Sequence, residues 1–276
     1  MNLKERIILA LVIIAVFFII YMPHYTYSYP FHIDEWHHIS ESMRMGEGSS
    51  QGGVFLYEIG FHMFLSLISY ILPLITFYKF LPAIWGALSA IILFYVVYKK
   101  SSNYILAIAT IIFFASIKSN VYLTGLWFFT PLTFAIPFIF LYLYYYTQAF
   151  EEKKLKYLFI SLGIMIFLIP IHVISVLFTL PALILYSLYH IDFVKKHIKL
   201  FSLFGLIPII GLAFYSHINN INLVEALKKL LLDLTFKTEW GVISHNSSFL
   251  EVYSLTGLIL AIIGLGYVLS QKKLRE

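Results

Sequence analysis

Apolar residues occur along this chain in long unbroken runs rather than in alternation. Eight runs, 7–22, 80–98, 104–117, 127–150, 155–170, 173–189, 198–216 and 249–269, are each bounded by charges, prolines or polar turns. Most have the roughly 16–22 residues that an α-helix needs to cross a hydrocarbon core of about 30 Å. A transmembrane β-barrel would alternate polar and apolar side chains with period two, which this chain does not do. The pattern predicts an all-α polytopic membrane protein with about eight transmembrane helices, residues 1–276 forming a single membrane domain. The first run follows Lys4, Glu5 and Arg6 as in a signal peptide, but Pro23, His24 and several tyrosines stand where a small-residue cleavage site would be. It is therefore expected to persist as a helix with its N-terminus inside.

A ninth apolar stretch, 55–77, has to be placed by charge. If it does not cross, the clusters Lys4/Arg6, Lys99/Lys100, Lys153/Lys154/Lys156, Lys195/Lys196/Lys199 and Lys272/Lys273/Arg275 all fall on one side, and they hold most of the 19 basic residues. If it crosses, every cluster after the first moves outside, against the cytoplasmic preference of Lys and Arg. The stretch is thus expected to be a re-entrant or interfacial helix, a reading helped by Glu58, His62 and Pro73 within it. Both termini are then cytoplasmic in a plasma-membrane protein. The external face carries a first loop 23–79, a turn 119–126, a hairpin tip 170–172 and a last loop 217–248. Most of the ten histidines, together with Asp34, Glu35, Glu41, Glu47 and Glu58, lie on that face.

Composition agrees: 61% of residues are hydrophobic, 12% are charged, and the mean hydropathy is +0.87. Soluble domains carry about 25% charged residues, so a soluble enzyme is excluded. The absence of cysteine removes disulfides, thiolate nucleophiles and thiolate metal sites. The net charge of +5 is read as topological, and no nucleic-acid partner is expected. In the last loop, Leu223, Leu227, Leu230, Leu231 and Leu234 share one helical face opposite Glu225, Lys228, Lys229 and Asp233, which fits a helix lying in the interface or one packed over the bundle. Asn246-Ser247-Ser248 satisfies the glycosylation sequon. Residues 46–53 form a glycine-rich flexible stretch, and no repeat of constant period is present.

The densest group of ionisable side chains follows the first helix: Phe31-His32-Ile33-Asp34-Glu35-Trp36-His37-His38-Ile39-Ser40-Glu41. As a helix from Asp34, it puts Asp34, His37 and His38 on one face, with Glu41 a turn further on. Such a segment suits an amphipathic surface helix, or a carboxylate acting as general base beside groups that hold a phosphate-bound cation. A hydrolytic zinc site is a third reading. His-Glu-x-x-His is absent, so the spacing supports at most an ancillary metal site. Serine-hydrolase, P-loop and dinucleotide fingerprints are also absent.

The first helix, the hydrophobic-Asp34-Glu35-aromatic-x-x-Ile-Ser sequence, the glycine-rich gap and the aromatic helix after it resemble the GT-C superfamily of polyprenyl-phosphate-dependent membrane glycosyltransferases. That superfamily includes protein mannosyltransferases, lipid A aminoarabinose transferases and oligosaccharyltransferase catalytic subunits. The likeness spans residues 1–189. Leu81-Pro82-Ala83-Ile84-Trp85-Gly86-Ala87 is similar to the family's second span, and Thr124-Gly125-Leu126-Trp127-Phe128-Phe129-Thr130-Pro131 occupies the place of its second external loop. The second acidic residue that many members carry in that loop is absent here.

The resemblance implies a GT-C-like fold with a non-spanning helix in the external first loop, and transfer of a sugar from a polyprenyl-phosphate donor on the external face. Asp34 would be the base and Glu35 would position the donor phosphate, through a hydrogen bond or through a divalent cation for which Asp34 and Glu35 are candidate ligands. His37, His38, Arg44, His62, His172 and His245 are the candidate substrate-binding residues, with Lys118 a further external cation. The alternative is a non-catalytic scaffold or lipid-phosphate-binding subunit of a split or larger enzyme, whose partners are membrane lipid and another membrane subunit. A transporter ranks third, because charges within the runs are nearly absent.

Overall fold

The computed structural model describes residues 1–30, 32–46, 58–117, 125–218 and 220–234, and positions 259 and 262. The described residues form helices and contain no strand. In chain order they are α1 (Leu3–Tyr21), α2 (Ile33–Gly46), α3 (Ile59–Ile71), α4 (Leu74–Phe77), α5 (Leu81–Ser101), α6 (Tyr104–Ala115), α7 (Pro131–Glu151), α8 (Leu155–Tyr189), α9 (Ile191–Lys196), α10 (Ile198–Ile218) and α11 (Leu223–Leu234). Three helical stretches are long and apolar enough to cross a membrane: Leu3–His24, Leu74–Ser101 and Leu155–Tyr189. The eighth apolar run apart from positions 259 and 262, the sequon, His245, Lys118 and residues 47–57 lie outside the described residues.

Local chemistry sets the helix ends. Asn2 caps α1 in a reciprocal box with Glu5, which satisfies amide groups that have no partner within the helix. Thr130 caps α7, with Pro131 at the first position, where its missing N–H costs nothing. The helix therefore starts four residues after the beginning of the apolar run 127–150. Ser102 and Lys153 adopt positive φ just past the ends of α5 and α7. The run 104–117 yields only the twelve residues of α6, about 18 Å of helix.

Side-chain contacts fix the helix directions. Tyr21 stacks on Phe80 at one end of the α1–α5 pair, while the Tyr104 hydroxyl donates to the Glu5 carbonyl at the other (2.7 Å), so α1 and α5 are antiparallel. The pairs Trp85–Phe134, Tyr95–Tyr144 and Lys100–Glu151 advance together, making α5 and α7 parallel. Tyr145 packs on Tyr157 and Phe138 on Phe167, so the start of α8 runs back along α7. The Tyr142 hydroxyl reaches Met165, and the neighbouring Tyr146 hydroxyl reaches Ser187 (2.5 Å). Met165 and Ser187 would lie about 33 Å apart on a straight helix, so α8 reverses between them. The reversal is at His172, whose φ of −159° and ψ of 81° are non-helical and which follows Pro170. The hairpin tip expected at 170–172 is thus present. Phe201 and Phe204 of α10 return along α7 against Phe150 and Tyr146.

The packing divides into two apolar clusters. Val16, Ile20, Ala83, Ala90, Phe94, Ala107 and Ile111 join α1, α5 and α6. Close approach there needs Gly86, since a Cβ at that position would sit 2.2 Å from Cδ1 of Ile20. The second cluster joins α3, α7 and α8 through Phe61, Leu65, Phe134, Tyr142, Met165 and Leu168. Lys100, Glu151, Tyr104 and His190 gather at one end of the bundle, with the basic clusters of residues 4–6, 99–100 and 153–156. At the opposite end, the start of α3 (Phe61) and the segment after it (Tyr78) both touch Phe129. The chain is therefore at that end both at the start of the thirteen-residue α3 and shortly after it closes.

Candidate functional site

The end opposite the basic clusters is built by α2, α3, the turn 125–130 and the tip of the α8 hairpin. The start of α2 is held by Trp36, whose indole N–H donates to the Pro30 carbonyl (2.9 Å), and by His32, whose Nδ1 accepts from the Asp34 amide (3.2 Å). Asp34 and Glu35 occupy the first turn, where the helix dipole favours negative charge. The buried face of α2 runs Glu35, His38, Ile39 and Ser42, an i, i+3, i+4, i+7 stripe. The structure accordingly parts the residues expected together: His38 turns inward, His37 is exposed, and Asp34 is about half exposed, with Oδ2 3.4 Å from Nδ1 of His32.

Glu35 is fully buried, and its Oε1 accepts from the Phe129 amide (3.2 Å). The buried Tyr78 hydroxyl donates to the carbonyl of the same Phe129. Thr133 donates to the Phe128 carbonyl (2.8 Å), and His24 Nε2 bonds to the Trp127 carbonyl (2.6 Å). An apolar turn thus has its backbone satisfied by side chains from four elements, as burial of peptide groups demands. Glu35 ties α2 to the entry of α7.

One turn further along α2, His38 meets α3. Its Nδ1 lies 3.0 Å from Nε2 of His62 and 3.7 Å from Oε2 of Glu58. One donor atom from each of His38, Glu58 and His62 falls within 4.8 Å of the others. Glu58 stands at the N-cap of α3 and His62 a turn later, so both project on one side toward α2. The ring of Phe61 presses edge-on against His38 (5.2 Å), and the Ser42 hydroxyl donates to the His38 carbonyl (2.6 Å). Burial, then the nearby Asp34 charge, pushes the Glu58 carboxyl up to about 8. Burial, then His37, brings the His62 imidazole down to about 4. His38 is held well below its usual value by burial, then by His62, His37 and His172. At neutral pH both inward imidazoles are neutral, and the 3.0 Å contact between them is a hydrogen bond in which one ring nitrogen donates and the other accepts.

The remaining candidates spread around this core. His172 sits at the hairpin reversal with Nδ1 2.6 Å from the Ser175 hydroxyl. The tip reaches the site through Gly60, where an added Cβ would meet Cγ1 of Ile171 at 3.0 Å and the Pro170 carbonyl at 3.2 Å. Arg44 pairs with Glu41 (3.1 Å) in the last turn of α2. A cavity of about 410 Å³ at the α10–α11 junction is lined by none of these residues. The site residue that sequence reasoning passed over is Glu58. Its signal was there, a carboxylate and a histidine four residues apart inside an otherwise apolar run. Geometrically the site gathers two imidazole nitrogens and a carboxyl oxygen, with the half-exposed Asp34 carboxylate beside them. No family model, curated protein or solved structure matches the chain.

Proposed function

We propose that the chain is a GT-C-like membrane transferase module that moves a sugar from a polyprenyl-phosphate donor, with Asp34 as the base. The observation that carries this reading is Asp34 itself: a half-exposed carboxylate on the first turn of a helix locked in place by the buried Glu35–Phe129 bond, at the edge of a histidine cluster. Asp34 takes a proton from an acceptor hydroxyl or amide as the acceptor attacks the anomeric carbon, and the polyprenyl phosphate departs with the bonding pair. The scaffold is about eight spans with α2 and α3 in the external first loop and the basic end cytoplasmic, at the plasma membrane. Gathering of the basic clusters at one end and of α2 and α3 at the other supports that orientation. Arg44, His37 and His172 are the phosphate-side candidates among the described residues.

The test is transfer from a radiolabelled polyprenyl-phosphate sugar by the purified protein in nanodiscs, wild type beside Asp34→Asn. Loss of turnover by roughly 10²–10⁴-fold with donor binding kept is expected, the range a general base contributes. Full turnover in the variant overturns the assignment of Asp34. Donor binding without turnover in both proteins points instead to a lipid-phosphate-binding subunit of a larger enzyme.

A further inference from the structure

We propose that His38, Glu58 and His62 form a binding site for a transition-metal dication of the zinc class, stapling α2 to α3. This goes beyond the transferase reading and does not depend on it. Two imidazole nitrogens and a carboxylate oxygen are the donor set of many three-ligand zinc sites, in which the fourth position is left to water or substrate. Zinc bonds of about 2.0–2.1 Å in a tetrahedron place neighbouring donors roughly 3.3 Å apart. The two distances from Nδ1 of His38, 3.0 Å to His62 in a hydrogen bond whose proton a bound metal would displace and 3.7 Å to Glu58, bracket that spacing. All three donor atoms lie within 4.8 Å of one another.

The surroundings suit a metal centre. His38 and His62 are buried and Glu58 is partly so, which limits competition from water. Phe61 walls one side of His38, and the Ser42 hydroxyl anchors the backbone that carries it. The ligands come from two helices, with Glu58 and His62 one turn apart on α3 and His38 facing them from α2. Such a site cannot be seen in local spacing. Hard cations such as magnesium prefer oxygen donors and keep their waters, so two nitrogens out of three select against them. The site is separate from the Glu35–Phe129 bond, and Asp34 is not one of its three donors.

The full chain, purified in detergent, stripped with a chelator, reloaded with zinc and desalted, is analysed for metal by mass spectrometry. One zinc per chain is expected. Loading with cobalt should give the visible absorption bands of a four-coordinate nitrogen and oxygen site. His38→Ala, His62→Ala and Glu58→Gln should each weaken zinc by more than the roughly 10–100-fold that loss of an outer partner costs. Because a variant could fail to fold, the wild type carries a second readout: zinc should raise its thermal midpoint, magnesium should not, and the chelator should reverse the rise. Reloaded wild type with no more metal than His62→Ala, or with no zinc-dependent midpoint, overturns the site. Asp34→Asn should keep its zinc while losing transfer. Zinc bound to a wild type that transfers nothing upholds the metal site and defeats the transferase reading, whereas transfer by a wild type that takes up no zinc does the reverse.

Discussion

The two ends of the helix bundle carry charge in opposite ways. At the basic end, Lys100 pairs with Glu151 at 2.7 Å and Lys154 with Glu152 at 2.6 Å, and all four side chains are substantially exposed. At the other end, Glu35, His38 and His62 are buried, and the partners of Glu35 and His38 come from other elements. Exposed ion pairs contribute roughly 0.2–1 kcal/mol each, and basic residues flanking apolar helices act chiefly on orientation. Burying a carboxyl or imidazole costs several-fold more unless it is bonded. A chain that is 12% charged and still buries ionisable groups at one end has had to bond them there.

The contrast can be broken most forcefully at Glu35. Glu35→Ala strips the buried Phe129 amide of its acceptor and should cost about 3 kcal/mol, read as a lowered thermal midpoint in detergent. Glu35→Gln keeps an acceptor and should cost about 1 kcal/mol. An Ala variant as stable as the wild type would mean that the two ends are not different in kind.

Glu58 comes next, through pH. In metal-free protein its carboxyl titrates at about 8, against 4.5 when unfolded. The stability it contributes is full below 4.5 and is lost as pH rises to 8. His62, lowered to about 4 from 6.5, destabilises the fold only as pH falls below 6.5. Between pH 6.5 and 8 only the Glu58 slope remains. The chelated wild type should lose thermal stability across that window, and Glu58→Gln should be flat. A wild-type midpoint that rises with pH there would contradict the burial of Glu58.

Smaller effects sharpen the picture. Tyr78→Phe removes the hydroxyl that donates to the Phe129 carbonyl and should cost about 1–2 kcal/mol. Combined with Glu35→Ala it should depart from additivity, since both act on one residue. Lys100→Ala at the basic end should cost about 0.5 kcal/mol or less and fade with salt.

Much of the scaffold is legible in the sequence because one variable, apolar run length, controls it. The runs locate α1, α5 and α10, and Pro170 beside His172 marks the hairpin turn. Helix α7 begins later than its run because Trp127, Phe128 and Phe129 form a buried turn whose peptide groups are satisfied by Glu35, Tyr78, Thr133 and His24. Hydropathy cannot distinguish such a turn from a helix. Within the amphipathic segment of the last loop, Leu223–Leu234 form α11, where Leu223, Val224 and Leu227 are exposed. In the site, Asp34, Glu35 and His38 stand out because they are adjacent in the chain. Their division of labour was hidden, because which face of α2 is buried depends on partners about 20 and 90 residues away. Glu58 was read only as a reason for α3 not to cross, although its four-residue spacing to His62 already implied a shared helical face.

The reversal of α8 at His172 also bears on the lipid around the protein. Its two arms, 155–171 and 173–189, are each about 25 Å long, at the short end of what crosses a hydrocarbon slab of about 30 Å. A span at the short end is met by local thinning of the bilayer, by flanking side chains reaching outward or by association. Where the bilayer thins, the reversal, with Pro170 against Gly60 and the histidine cluster nearby, would sit at the floor of a dimple, below the plane of the surrounding headgroups. Under the transferase proposal, an isoprenoid tail would then reach that level sideways from within its own leaflet, while a water-soluble acceptor would have to descend to it from above.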